Sequence, residues 1–230
     1  MTTRNIYTER LDAVRARLDA WEVAGVLISS PANRRWLSGF SGSAGQLLIT
    51  PAQALLATDF RYYTQATQEA PTFELFKHQR RQEDTAALFA AAGVSRIGLE
   101  SSHLPLKQAA QFAAAAPEVT WVPLDETLEP LRAVKSAAER AQIAAAAAIT
   151  DQAMAQVNDL ARPGMSERAL AWELEKRLRE AGAHSLAFPV IVASGPNSAL
   201  PHHRPSERLL QAGDAIIVDM GAALTATTAT

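Results

Sequence analysis

Residues 188–221 read Phe-Pro-Val-Ile-Val-Ala-Ser-Gly-Pro-Asn-Ser-Ala-Leu-Pro-His-His-Arg-Pro-Ser-Glu-Arg-Leu-Leu-Gln-Ala-Gly-Asp-Ala-Ile-Ile-Val-Asp-Met-Gly, and the reading of the fold starts from them. Each end carries an apolar, β-branched run: Val190-Ile191-Val192 and Ala215-Ile216-Ile217-Val218. Between the runs lies a stretch rich in Gly, Pro, Asn and Ser that holds the adjacent pair His202 and His203. This pattern predicts two buried strands joined by a polar loop with two imidazoles. A carboxylate, Asp219, stands where the second strand ends, and Gly221 follows closely.

Side chains alternate along a strand, so Asp219 should share a face with Ile217, opposite Ile216 and Val218. A carboxylate after three aliphatic residues is costly to bury unless a cation or hydrogen-bond donors meet it. Two readings are therefore open: Asp219 caps the strand end by accepting a turn amide, or it holds a metal ion. His202 and His203 are open in the same way, between a solvated loop and a ligand or substrate contact.

The motif spacing adds a resemblance. Gly195, Asn197, Ser198 and His202, followed by Gly213, Asp214, Asp219 and Gly221, resemble the G-x-N-s-x-x-x-H and G-D-x-x-x-x-D-x-G segments of the Xaa-Pro aminopeptidase, prolidase and creatinase family, the pita-bread metallopeptidases. The resemblance implies that Asp219 is the first metal-ligand aspartate and that His202 is the histidine that contacts substrate. It assigns nothing comparable to His203. Earlier in the chain, Gly39 to Gly45 and Thr58 to Tyr62 resemble the family's G-F-x-G-S-x-G and T-D-x-R-Y segments, which favours the aminopeptidase branch over creatinase. Arg132, Lys135 and Glu139 resemble its entry into the catalytic domain. The implied fold is α/β: a creatinase-like amino-terminal α/β domain over 1–130, then an incomplete pita-bread α+β domain over 131–230.

Composition bounds the alternatives. The chain has 230 residues, 48% of them hydrophobic, enough for a sizeable core. Lys plus Arg is 22 against 24 for Asp plus Glu, which gives no basis for a nucleic acid or an anionic membrane as partner. Without cysteine, thiol and disulfide chemistry are excluded, which fits a reducing compartment. The amino-terminal stretch is charged and amphipathic, unlike the apolar core of a signal peptide. No apolar run reaches the roughly 18 residues of a spanning helix, and the expectation is a soluble cytoplasmic protein.

Taken in order, residues 8–23 read as a helix on Leu11, Val14, Leu18 and Trp21, ended by Gly25. Short strands are expected at 26–28, 47–50, 55–58, 73–76, 96–99 and 119–122, with helices at 82–92 and 106–116. Strands alternating with helices argue for an α/β layer fold. The glycine-serine turn at 42–45 lacks the Lys-Ser/Thr of a phosphate loop and precedes a strand, so it reads as close backbone packing. Asp59 and Arg61 read as a local ion pair at a strand end. A domain boundary is expected within 123–130. Ser136 and Glu139 form a capping box, opening a helix whose expected inner face is Ile143, Ala147, Thr150, Met154 and Val157. Ser166 caps the next helix, with Leu170, Leu174 and Leu178 on one stripe.

The family site implies two Asp, one His and two Glu around two divalent ions, manganese or alternatively zinc or cobalt, acting on peptides with proline in second position, in a protein that often dimerises. Here the sequence departs from the pattern. The second aspartate of the family falls eleven positions after the first, and that position is Thr230; Ala222 to Thr230 contain only Ala, Leu and Thr. A lone Asp does not make a bridged pair of ions. A frame change after Gly221 or a shortened sequence would produce this, and an inactive enzyme is the expectation. The alternative is a non-catalytic dimerisation or peptide-binding module built on the amino-terminal domain.

Overall fold

A computed structural model describes residues 5–79 and 81–224. The chain divides into two compact units, Met1–Val134 and Lys135–Thr230.

The first unit contains α1 (Ile6–Arg15), β1 (Gly25–Ile28), α2 (Pro31–Ser38), β2 (Gln46–Ile49), β3 (Ala54–Thr58), α3 (Tyr63–Glu69), β4 (Glu74–Lys77), α4 (Gln82–Ala92), β5 (Arg96–Glu100), α5 (Leu106–Ala115), β6 (Thr120–Leu124) and α6 (Glu129–Ala133). Among its described residues six strands form one sheet in the order β4-β3-β2-β1-β5-β6. β2 runs antiparallel to both neighbours, and the other pairs are parallel.

Apolar side chains leave the sheet in both directions, because helices cover both faces. Leu55, Leu48, Leu27 and Leu99 lie in register across four strands and pack with Leu88, Phe89 and Phe112 of α4 and α5. Val26, Ile28, Leu47, Ile49 and Leu56 meet Leu11, Val14 and Leu37 of α1 and α2 on the other side. This double burial explains why β1 is buried at every position.

Several local expectations change. The first helix stops at Arg15, although Leu11, Val14 and Leu18 are buried as the periodicity required. Gly25 belongs to β1, where an added Cβ would lie 3.0 Å from the Ile49 carbonyl oxygen. An additional helix, α2, follows β1: Ser30 caps it, Pro31 occupies its first turn, and Gly39 closes it with a left-handed φ of 82°. The turn at 42–45 is indeed close packing, since its carbonyls face a buried cation. Arg34 donates to Gly45 O at 2.6 Å and to Gly42 O at 2.5 Å. Asp59 and Arg61 do pair, through two hydrogen bonds of 2.8 and 2.7 Å.

The second unit contains α7 (Ala137–Met154), α8 (Val157–Leu160), α9 (Glu167–Glu180), β7 (Ser185–Leu186), β8 (Ile191–Ser194), β9 (Ile216–Asp219) and β10 (Ala222–Ala223). The Ser136–Glu139 capping box opens α7. The inner face of α7 differs from the expected one: Ala153 is buried and Ile149 packs on the core, while Ile143 and Met154 are exposed. Leu170, Leu174 and Leu178 are buried as read, and they pack with Val190, Val192, Leu210 and Met220.

β8 and β9 pair antiparallel, with Ser194 opposite Ile216 and Ile191 opposite Asp219. The expectation of two buried strands holds for β8 alone. β9 alternates between half-buried and exposed positions, and Ile217 is 48% exposed. Among the described residues β8 and β9 form a sheet of two strands, so one face of β9 has no layer to cover it.

Candidate functional site

The loop between β8 and β9 is anchored at the amino-terminal end of α9. A helix start leaves backbone N–H groups without intrahelical acceptors. Ser166 Oγ accepts one from Ala169 at 3.2 Å. The loop supplies others: Glu167 N–H donates to Arg208 O at 3.0 Å, and Arg168 N–H to Ser206 O at 3.1 Å. Leu210 N–H donates back to Met165 O at 2.8 Å.

The side chain of Glu167 is at the centre of this arrangement and is 0% exposed. Its Oε1 accepts from Ser194 N–H at 2.8 Å, Ser194 Oγ at 2.8 Å and Asn197 Nδ2 at 3.0 Å. Its Oε2 accepts from His203 Nε2 at 2.8 Å, Ser206 N–H at 3.1 Å and Ser206 Oγ at 2.7 Å. Burial pushes this carboxyl up, and the hydrogen bonds from Ser206, His203, Asn197 and Ser194 outweigh that and hold its pKa below the usual carboxylate range. An ionised carboxylate only accepts, so His203 carries its proton on Nε2.

An ion pair braces the same loop. Arg208 meets Asp214 at 2.7 and 3.1 Å and also donates to Ser194 Oγ at 2.6 Å. The Arg208 guanidinium holds the Asp214 carboxyl below its ordinary value. Gly195 lies against this pair with φ 50°, and an added Cβ would come within 2.5 Å of Arg208 Nη2.

The residues singled out from sequence are both on the surface. His202 is exposed in the turn after Leu200. Asp219 is exposed at the end of β9, on the face of Ile217 as the alternation required. Its register position is three residues from Ile216, or about 10 Å along the strand from the loop's return point. Among the described residues no three His, Cys, Asp or Glu side chains form a group that could hold a metal ion. The donor set present therefore does not fit a two-ion centre. Thr230, where the family's second aspartate would fall, lies outside the described residues.

Sequence reasoning passed over Glu167, Ser194, Ser206 and Arg208, and left His203 open between a solvated loop and a ligand or substrate contact, with no structural part. A glutamate after a helix-capping serine is ordinary in sequence. Nothing local signals that its carboxylate is buried or that its partners stand 27 to 39 positions away.

Residues 10–134 match the creatinase/prolidase N-terminal domain, and residues 141–230 match metallopeptidase family M24. The chain belongs to this creatinase/prolidase family of metallopeptidases. The expected fold class is the one found: a creatinase-like α/β domain, then part of a pita-bread domain. A Bacillus subtilis relative, the uncharacterized peptidase YqhT, is 36% identical over 214 residues, covering 93% of this chain and 61% of the relative. The solved Xaa-Pro dipeptidase from Bacillus anthracis superposes with a TM-score of 0.90 at 33% identity, covering 94% of this chain and 61% of that one. The X-Pro aminopeptidase from Thermotoga maritima MSB8 gives 0.79 at 32% identity, covering 88% and 59%. The chain thus spans about 60% of the length of these relatives. No helix among the described residues is long and apolar enough to cross a membrane.

Proposed function

We propose that this chain serves Xaa-Pro peptidase chemistry, the metal-dependent cleavage of the peptide bond before a proline, with His202 contacting the substrate and Asp219 a metal ligand. The observation that carries the reading is the β8–β9 loop. Its family-motif residues Asn197 and Asp214 are both fixed inside the unit, while His202 between them is left facing outward. The names of the two solved relatives, a dipeptidase and an aminopeptidase, support the proline-directed class, and their near-equal identities do not separate the two activities. Two divalent ions, manganese or else zinc or cobalt, would supply an acidified water and a polarised carbonyl in the complete family site. Of the ligands of that site Asp219 is the one found among the described residues, and by itself the chain should not turn over substrate. A homodimer in the cytoplasm belongs to the same proposal and rests on the family resemblance.

The test uses an Xaa-Pro dipeptide and an Xaa-Pro-Xaa tripeptide with added manganese. The chain alone should leave both intact. The chain joined after Gly221 to the remaining residues of the Bacillus anthracis relative should cleave before proline, and its preference between the peptides decides dipeptidase against aminopeptidase. Turnover by the chain alone contradicts the ligand reading. A folded, metal-loaded joined protein that cleaves neither peptide removes the peptidase reading.

A second reading, a non-catalytic dimerisation or peptide-binding module, has one observation in its favour. A cleft of about 730 Å³ in the first unit is lined by Ser29, Thr58, Arg81, Gln108 and Gln111 among others, at the carboxyl ends of β1 and β3, where open α/β sheets accept ligands. Concentration-dependent dimerisation, with no turnover in the joined protein, supports this reading.

A further inference from the structure

We propose that Glu167 is a positioning residue for His202: its buried carboxylate gathers the loop after β8 onto the start of α9, holding His203 inward so that His202 is presented outward. The inference rests on the substrate role proposed above for His202.

Backbone hydrogen bonds to 164–168 and the Arg208–Asp214 pair hold residues 206–214, whereas the part that carries His202 is tied to α9 through Asn197 and His203 on Glu167. Residues 195–215 form no ladder with β8 or β9, and a loop of this length costs conformational entropy to order. Glu167 gathers four points along it and just before it, at Ser194, Asn197, His203 and Ser206. The imidazole of His203 is 11% exposed where it meets Glu167, whereas its neighbour His202 is exposed. Fixing one ring against a buried carboxylate sets the backbone that carries the other. The ionisable groups around Glu167 are His203, Arg208 and Asp214, and the last two are paired with each other.

A glutamine cannot replace this carboxylate. Three donors converge on each oxygen, and an amide nitrogen would place a fourth donor against one set. Shape and helix packing are kept, and the convergence is lost.

Nitrogen-15 NMR of the whole chain tests this. In the wild type the Nε2–H of His203 should appear as a protonated, slowly exchanging resonance, with the Ser194 and Ser206 amides protected. In Glu167→Gln that resonance is lost and those amides exchange faster by about tenfold or more. The ring signals of His202 shift, while the amides of Leu174 and Leu178 keep their protection. Unchanged exchange at Ser194 and Ser206, or an unchanged His202, overturns the inference. Should α9 also lose protection, His203→Gln decides, because it removes one donor and leaves the carboxylate in place. It must shift the His202 signals, and their constancy overturns the inference. Adding an Ala-Pro dipeptide separates the two readings. A wild-type His202 that does not respond removes its substrate role, while the exchange data alone decide the positioning role.

Discussion

The Glu100 carboxylate accepts the backbone N–H of Ser29 at 2.5 Å, tying the end of β5 to the β1–α2 connection 71 residues earlier. Glu100 is 3% exposed. It also accepts from Ser30 N–H at 2.6 Å and from Asn33 Nδ2 at 2.7 Å, and Asn33 is shared with Glu129 and Arg132. Two parallel strands and the segment after β6 therefore converge on one carboxylate. Glu100→Ala leaves several buried donors without an acceptor and should lower the stability of the first unit by about 3 kcal/mol. Urea unfolding followed by tryptophan fluorescence measures it, and an unchanged midpoint would mean that water replaces the carboxylate at little cost.

The same contacts show what the sequence could and could not reveal. The leucine stripe of α9 follows from periodicity within a few turns, and the Ser136–Glu139 box from two residues three apart. The α/β layering follows from apolar runs short enough to be strands covered on both faces. The two buried glutamates do not, because each is defined by donors brought together from distant segments. α2 was also hidden: its inward residues include Asn33 and Arg34, so it lacks the apolar stripe that marks a helix. At the site the motif located the loop and its ends. It could not show that His203 is the inward, half-buried imidazole and His202 the exposed one.

Acid should loosen the second unit through Glu167. Its pKa is lowered on folding from 4.5, so the stabilisation it contributes is complete above that value. It is lost as pH falls towards the lowered, folded pKa. Asp214, lowered by Arg208, acts in the same direction. Melting temperatures recorded between about pH 6 and pH 3 should therefore fall for the wild type and fall less steeply for Glu167→Gln. Equal slopes would show that the carboxylate is not ionised in the folded unit.

Gly195→Ala should destabilise the second unit. At φ 50° a side chain is disfavoured, and the new Cβ would lie 2.5 Å from Arg208 Nη2 and 2.6 Å from Asp214 Oδ1. Neither partner can swing away without breaking the pair that braces the loop. A loss of about 1–3 kcal/mol is expected from backbone strain of this kind, read by thermal unfolding. Gly213→Ala is a useful comparison, because its φ of 88° is strained alike and no atom lies within 4 Å of the added Cβ. The difference between the two variants reports the steric part.

Arg34→Lys should be poorly tolerated although charge is kept. The guanidinium spans two carbonyls, Gly42 O and Gly45 O, and lies 5.5 Å from the ring centre of Phe40. An ammonium is a point donor without the planar fork, so one buried carbonyl loses its partner. The expected cost is about 2 kcal/mol, with near-ultraviolet circular dichroism reporting the surroundings of Phe40 and Tyr62. A variant as stable as wild type would show that the 42–45 turn holds its shape without the fork.

Asp219 is the residue on which the structural and the chemical readings make opposite demands. Its side chain is exposed at the end of β9, so Asp219→Asn should leave the stability of this chain within about 0.5 kcal/mol of wild type. A larger loss would favour the strand-capping role that the sequence also allowed. With no group of three ligating side chains among the described residues, manganese should bind the chain no more tightly than about millimolar, and electron paramagnetic resonance of the free ion should show no difference between wild type and variant. In the protein joined to the Bacillus anthracis residues the same substitution should abolish turnover if the carboxylate is the metal ligand proposed above. Tight manganese binding by the chain alone, removed by Asp219→Asn, would mean that its residues assemble a site not present among those described. Full activity of the substituted joined protein would mean that Asp219 is no ligand.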